Sequence, residues 1–94
     1  MKASGFEGKN VYITGGSSGI GLATAELLAR QGSNVVIFAR GRERLEEALR
    51  RIESARRSEA QHFAYRQLDI TDRNEVARVM DETVRAFGPP DILI

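Results

Sequence analysis

The residues with the most chemical potential lie in one stretch, Thr14–Gly21, which reads TGGSSGIG. Glycines stand at 15, 16, 19 and 21, with the hydroxyls of Ser17 and Ser18 between them. A glycine has no Cβ, so such a chain can turn sharply and bring its backbone close to a ligand. Serine hydroxyls and free backbone N–H groups donate to anionic oxygens. A helix opening near Gly19–Ile20 would add its positive dipole end. The chemistry that fits is the holding of a phosphate group. Gly21 would let that helix sit close to a sheet. The same residues also fit an ordinary tight turn. A phosphate loop of the Gly-Lys-Ser/Thr kind is excluded, since no such triplet follows. Charged groups of interest stand at two further places, Arg40 with Arg44 after NVVIFA, and Asp69 in LDITD.

These residues need elements to position them. Asn10–Thr14 (NVYIT) is β-branched and aromatic, which predicts a strand running into the glycines. Ile20, Ala23, Leu27 and Leu28 recur at helical spacing and predict a first helix that buries them, with Gly32 as its stop. Asn34–Ala39 predicts a second buried strand. Leu45, Ala48, Leu49 and Ile52 mark one face of a second helix over 42–55, followed by a polar loop and frayed helix end over 54–61. Phe63, Tyr65 and Leu68 predict a third strand over 62–68. Asp72 stands three residues before Glu75, the spacing of a capping box, with Thr71 as the competing N-cap. Val76, Val79, Met80, Val84 and Phe87 form the buried face of a third helix, which Gly88-Pro89-Pro90 ends. Asp91–Ile94 begins a fourth strand.

The pattern is β-α-β-α-β-α-β. Continuous apolar strands alternating with amphipathic helices imply a parallel sheet covered on both faces. Right-handed crossovers favour an α/β, Rossmann-type doubly wound sheet with strand order 3-2-1-4. Its ligand crevice lies beside the C-terminal end of the first strand. Glycines that follow a strand and open a helix have the context of a dinucleotide-binding turn. In such a fold the end of the second strand meets the adenosine ribose. A carboxylate there would accept from a free 2′-hydroxyl, but no Asp or Glu occurs at 37–42. Arg40 can instead neutralise a 2′-phosphate, and Arg44, one turn further on, can reach the same group. A charge-assisted hydrogen bond is worth roughly 1.5–3 kcal/mol, about one to two powers of ten in affinity. The expectation is NADPH in preference to NADH. The plainer alternative makes Arg40, Arg42 and Arg44 solvated residues opening a helix, although cations there oppose its dipole. Arg42 points elsewhere on the helix and is set aside.

With these motifs, the chain resembles the short-chain dehydrogenase/reductase family over essentially all of its 94 residues. The likeness rests on TGGSSGIG at 14–21, FAR at 38–40, LDITD at 68–72 and GPPDILI at 88–94. Within the family, TGGSSGIG with ARGRERL and GPPDILI look most like 3-ketodihydrosphingosine (3-dehydrosphinganine) reductases, and 3-oxoacyl reductases share most of these features. The resemblance implies a cofactor site of Gly15, Ser17, Ser18, Gly19, Ile20, Gly21, Arg40 and Arg44. It places Asp69 beside the adenine, accepting from the exocyclic amine, with the Ile70 backbone nearby. The alternative for Asp69 is a loop carboxylate before a helix N-terminus, and Asp72 is read only as a cap.

The resemblance also implies NADPH (NADP+) as cofactor and a small carbonyl or lipid-like substrate. In that chemistry a Tyr donates a proton, a Lys lowers its pKa and a Ser orients the carbonyl. No Tyr-x-x-x-Lys occurs here, and the only lysines are Lys2 and Lys9. Residues 1–94 are therefore expected to be the N-terminal part of a single, incomplete NADP(H)-binding domain, inactive alone and exposing apolar surface. The whole protein is expected to reduce 3-ketosphinganine to sphinganine and to form a homo-oligomer. The alternatives are a reductase of 3-oxoacyl thioesters or another short-chain alcohol/ketone dehydrogenase, and a non-catalytic dinucleotide-binding module.

Composition narrows the remaining classes. Fourteen basic and thirteen acidic residues give a net charge of +1, too neutral for a typical nucleic-acid binder of this size. Arg50, Arg51, Arg56 and Arg57 interleave with Glu43, Glu46, Glu47, Glu53 and Glu59, which predicts a solvated helix face with i,i+4 pairs. There is no Cys, hence no disulfide or thiolate chemistry. Met1–Gly8 has no apolar run and does not read as a secretory signal. No stretch approaches the ~20 apolar residues of a membrane helix. A cytoplasmic location is expected, with membrane association only through a later anchor. His62 has no second His or carboxylate beside it and reads as structural; no metal site is expected. Tyr12 and Tyr65 fall in predicted strands, which argues against a catalytic tyrosine.

Overall fold

The structure, a computed structural model, describes residues 5–94. Lys2 and the first half of the Met1–Gly8 segment lie outside the described residues. The elements are β1 (Asn10–Thr14), α1 (Gly19–Arg30), β2 (Asn34–Ala39), α2 (Arg42–Ser54), β3 (Phe63–Gln67), α3 (Arg73–Phe87) and β4 (Ile92–Leu93). The strands form one parallel sheet in the order β3-β2-β1-β4. This is the Rossmann-type order expected from the alternating pattern. Thr14 pairs with Phe38, and Ala39 pairs with Gln67. The residues that follow β1, β2 and β3 therefore leave the sheet along one edge.

The apolar runs of β1 and β2 are buried on both faces because alternate side chains point to opposite sides. Val11, Ile13, Val35 and Ile37 pack under α1 and α2 against Ala25, Leu28, Leu45 and Ile52. Tyr12, Val36 and Phe38 face α3 and pack with Leu68 and Val79. The rings of Tyr12 and Phe38 lie 5.5 Å apart at a tilt.

The buried face of α1 differs from the expected one. Ile20 is 86% exposed and Leu27 53%, and Ala23 is exposed too. Leu22, Ala25, Leu28 and Ala29 turn to the sheet instead. The helix carries two overlapping apolar stripes that share Leu28. Gly21 lies against the preceding turn, and the two inward alanines let the helix lie close to the strands.

The polar segment after α2 is anchored rather than frayed. Gln61 is buried, and its Nε2 donates to the carbonyls of Ala29 (2.8 Å) and Ser33 (2.7 Å). Its Oε1 accepts from the N–H groups of Arg57 (2.6 Å) and Ser58 (2.8 Å). Every polar atom of a buried amide needs such a partner. The arginine-rich face is also more specific than expected. Arg51 reaches across to Glu26 of α1 (3.0 Å), and Arg56 pairs with Glu59 (3.3 Å) while lying over the Phe63 ring.

At the start of α3, Asp72 is the N-cap, accepting from the Glu75 N–H at 3.1 Å; Thr71 is not. Beyond the two residues of β4, the Ile94 N–H donates to the Tyr12 carbonyl (2.9 Å), and the Ile94 carbonyl accepts from the Thr14 N–H (2.9 Å). No described helix is long and apolar enough to cross a membrane.

Candidate functional site

The site grows from the turn between β1 and α1. Gly15 and Gly19 adopt positive φ, 69° and 56°, with open space where a Cβ would point. The Gly15 N–H donates to the Phe38 carbonyl (2.8 Å) and ties the turn to the end of β2. A Cβ on Gly21 would fall on the Gly15 carbonyl oxygen and stand 2.9 Å from its carbon. The close approach permitted by Gly21 is thus to the preceding turn, not to the sheet. The glycine against the sheet is Gly16, where a Cβ would lie 2.5 Å from Ile37 Cγ2. Sequence alone does not single out Gly16, because the neighbour that excludes its side chain is on another strand.

Helical bonding in α1 starts with Leu22 N–H to the Ser18 carbonyl (3.2 Å). Earlier N–H groups have no helical carbonyl to donate to. The Ser18 side chain makes no cap bond, and the first turn has no acidic residue. The N-terminal end of α1 therefore keeps its positive potential.

Beside this turn, a cavity of about 420 Å³ brings together Gly15, Ser17, Arg40, Arg44 and Ile70 over Phe38 and Leu68. A second cavity of about 410 Å³ is lined by Arg40, Gln67 and Asp69, and a third of about 270 Å³ by Ser17, Ser18, Gly19 and Arg44. Ile20 and Gly21 line none of the three. Ile20 points to solvent, and Gly21 acts through the shape of the turn.

Arg40 and Arg44 are exposed, and neither has an ion pair among the described residues. Arg42 turns to Glu46 at 2.9 Å. Gln67 Nε2 donates to the Arg40 carbonyl (2.9 Å) and fixes the backbone where β2 ends. Asp69 Oδ1 accepts from both the N–H (3.0 Å) and the hydroxyl (2.7 Å) of Thr71. Those two bonds hold the Asp69 carboxyl below its ordinary value, the hydroxyl contributing most, with a smaller effect from the Arg40 charge. The sequence does not mark Gln67, and it offers Thr71 only as a competing N-cap. Gln67 needs the β2–β3 register to be seen, whereas Asp-x-Thr is a local turn signal that was available.

The groups expected to be structural sit apart from these cavities. The Tyr12 hydroxyl donates to the Gly88 carbonyl, and burial pushes its phenol up. His62 is exposed at the other end of the sheet, its N–H bound to Asn34 Oδ1. Among the described residues, no group of three or more His, Cys, Asp or Glu could hold a metal ion.

A family model described as short chain dehydrogenase matches residues 9–94. The chain belongs to the short-chain dehydrogenase family. This short-chain dehydrogenase chain is 43% identical over 86 residues to a 3-dehydrosphinganine reductase of Arabidopsis thaliana, covering 92% of the chain and 24% of the relative. It is 46% identical over 77 residues to a 3-ketodihydrosphingosine reductase of Aspergillus fumigatus, covering 81% and 21%. The chain thus spans less than a quarter of the length of these relatives. In structure it is similar to L-sorbose reductase of Gluconobacter frateurii complexed with NADPH and L-sorbose. That TM-score is 0.85 at 36% identity, covering 98% of the chain and 34% of the other. An NAD+-bound xylitol dehydrogenase gives 0.87 at 32% identity, covering 96% and 33%.

Proposed function

We propose that this chain is the cofactor-binding part of an NADPH-dependent carbonyl reductase, with residues 1–94 the first part of a single NADP(H)-binding domain. The observation that carries this reading is one cavity that brings Gly15 and Ser17 of the glycine turn together with Arg40 and Arg44, neither arginine ion-paired among the described residues. The open space above Gly15 and Gly19 leaves a shelf of backbone for a pyrophosphate, beside the uncapped start of α1. Ser17, Ser18 and Gly19 line its edge. Arg40 and Arg44 hold the 2′-phosphate, Asp69 accepts from the adenine amine, and Ile70 covers the ring. Ile20 contributes its backbone N–H rather than its side chain. Gly21 keeps the turn closed. When bound, the cofactor supplies a hydride to a carbonyl carbon. The chain's own residues fix the adenosine end from which the nicotinamide is reached.

The substrate of the whole protein is 3-ketosphinganine. The names of the Arabidopsis and Aspergillus relatives support this choice.

The test is titration of the chain with NADPH and NADH. Arg40→Asp is expected to weaken NADPH about 10- to 100-fold, the worth of one charge-assisted hydrogen bond, with little change for NADH. Equal loss for both would overturn the assignment. Turnover of 3-oxoacyl thioesters but not 3-ketosphinganine by the whole protein would overturn the substrate.

A further inference from the structure

We propose that Thr71 is a positioning residue that orients the Asp69 carboxylate toward the adenine of the bound cofactor. The inference rests on the reading above in which Asp69 accepts from the adenine amine.

Asp69 stands just past β3, held from both sides along the backbone. The Leu68 N–H donates to the Ala39 carbonyl (2.8 Å), and the Asp69 carbonyl accepts from the Asp72 N–H (3.1 Å). That leaves the side chain. A carboxylate rotates broadly about its last bond, because an sp³–sp² torsion has no deep wells. Here both Thr71 donors converge on one oxygen, Oδ1, at 3.0 and 2.7 Å. Two bonds to one oxygen fix the carboxylate plane, so Oδ2 has a set direction. Asp69 lines the same cavity as Arg40, on the side of the proposed 2′-phosphate site. An acceptor already fixed in place binds an amine without being ordered at that moment.

Thr71 has no competing task at the helix. Asp72 caps α3, so the Thr71 hydroxyl is not needed there. Its bond to Asp69 also favours the ionised carboxylate, the form that only accepts. Thr71 is exposed, so Thr71→Val removes the hydroxyl, keeps the N–H and the branched shape, and leaves the core untouched.

The experiment compares NADPH with its hypoxanthine analogue, in which a carbonyl replaces the adenine amine. Affinities are measured for the chain and for its Thr71→Val, Thr71→Ser and Asp69→Asn variants. Thr71→Val is expected to narrow the adenine preference about three- to tenfold, the worth of one hydrogen bond, leaving analogue affinity unchanged. Thr71→Ser restores the preference. If Asp69→Asn narrows the preference while Thr71→Val weakens both ligands equally, or neither, the positioning role is overturned. If Asp69→Asn leaves the preference unchanged, the adenine reading itself has failed, and Thr71 falls with it.

Discussion

Replacing Gly16 by alanine is expected to destabilise the chain through its clash with the Ile37 side chain, and trimming that side chain is expected to relieve part of the loss. The added methyl would stand 2.5 Å from Ile37 Cγ2 and 2.8 Å from Ile37 Cβ. Carbon atoms prefer about 3.5–4.0 Å, so the overlap is near 1 Å. Ile37 is fully buried on β2, packed with core residues of α1 and α2. Overpacking of this kind costs about 1–3 kcal/mol. Ile37→Ala alone removes Cγ2 and costs about 2–5 kcal/mol through the cavity it leaves. In the double variant the new methyl loses its contact with Cγ2 and faces that cavity, while the retained Cβ at 2.8 Å has room to shift into it. The combined loss should then fall short of the sum by more than about 0.5 kcal/mol, the lower end of the range for residues in contact. Gly21→Ala is the control. Its methyl would meet the Gly15 and Gly16 backbone, which no side-chain substitution can trim. Alanine is also the better helix former by about 1 kcal/mol, so a net loss at Gly21 isolates the clash. Gly21→Ala should add to Ile37→Ala within about 0.5 kcal/mol. Urea denaturation followed by circular dichroism gives all the free energies. Additive losses at Gly16 and Ile37, or equal coupling at Gly21, would refute the packing argument.

Asp72→Ala removes the N-cap of α3 and should cost about 1 kcal/mol, seen as a lower urea midpoint with unchanged slope. Tyr12→Phe strips the hydroxyl that donates to the Gly88 carbonyl. It should also change the alkaline stability profile. Burial raises the Tyr12 phenol above its ordinary 10.0, so its contribution is complete below pH 10.0 and is lost as pH rises through the raised value. Thermal melts should show that alkaline fall reduced in Tyr12→Phe, and an unchanged fall would contradict the burial account.

Much of the fold was legible along the chain. NVYIT and NVVIFA read as strands because both are buried on two faces, which leaves a continuous apolar run. The third helix was legible because one stripe, Val76 to Phe87, faces the sheet and carries its own cap at Asp72. The first helix was misread where it carries two stripes. Periodicity ranks Ile20 and Leu27 above Ala25 and Ala29, whereas close packing favoured the smaller residues. Gln61 was read as loop because its four partners come from two separate segments. No local pattern marks such an anchor.

The sequence by itself determined the order of elements, the glycine-rich turn at 14–21 and the absence of a carboxylate after the second strand. These are properties of residue type and short-range spacing. Tertiary structure alone decided that Gly15, Arg40 and Asp69 stand at one edge, since that depends on the pairing of Thr14 with Phe38 and of Ala39 with Gln67. It also decided at which glycines of that turn a side chain has no room. Gly16 is excluded from bearing a side chain by Ile37, and Gly21 by the Gly15 carbonyl. The space around a residue belongs to whatever the fold brings against it, and spacing along the chain does not report that.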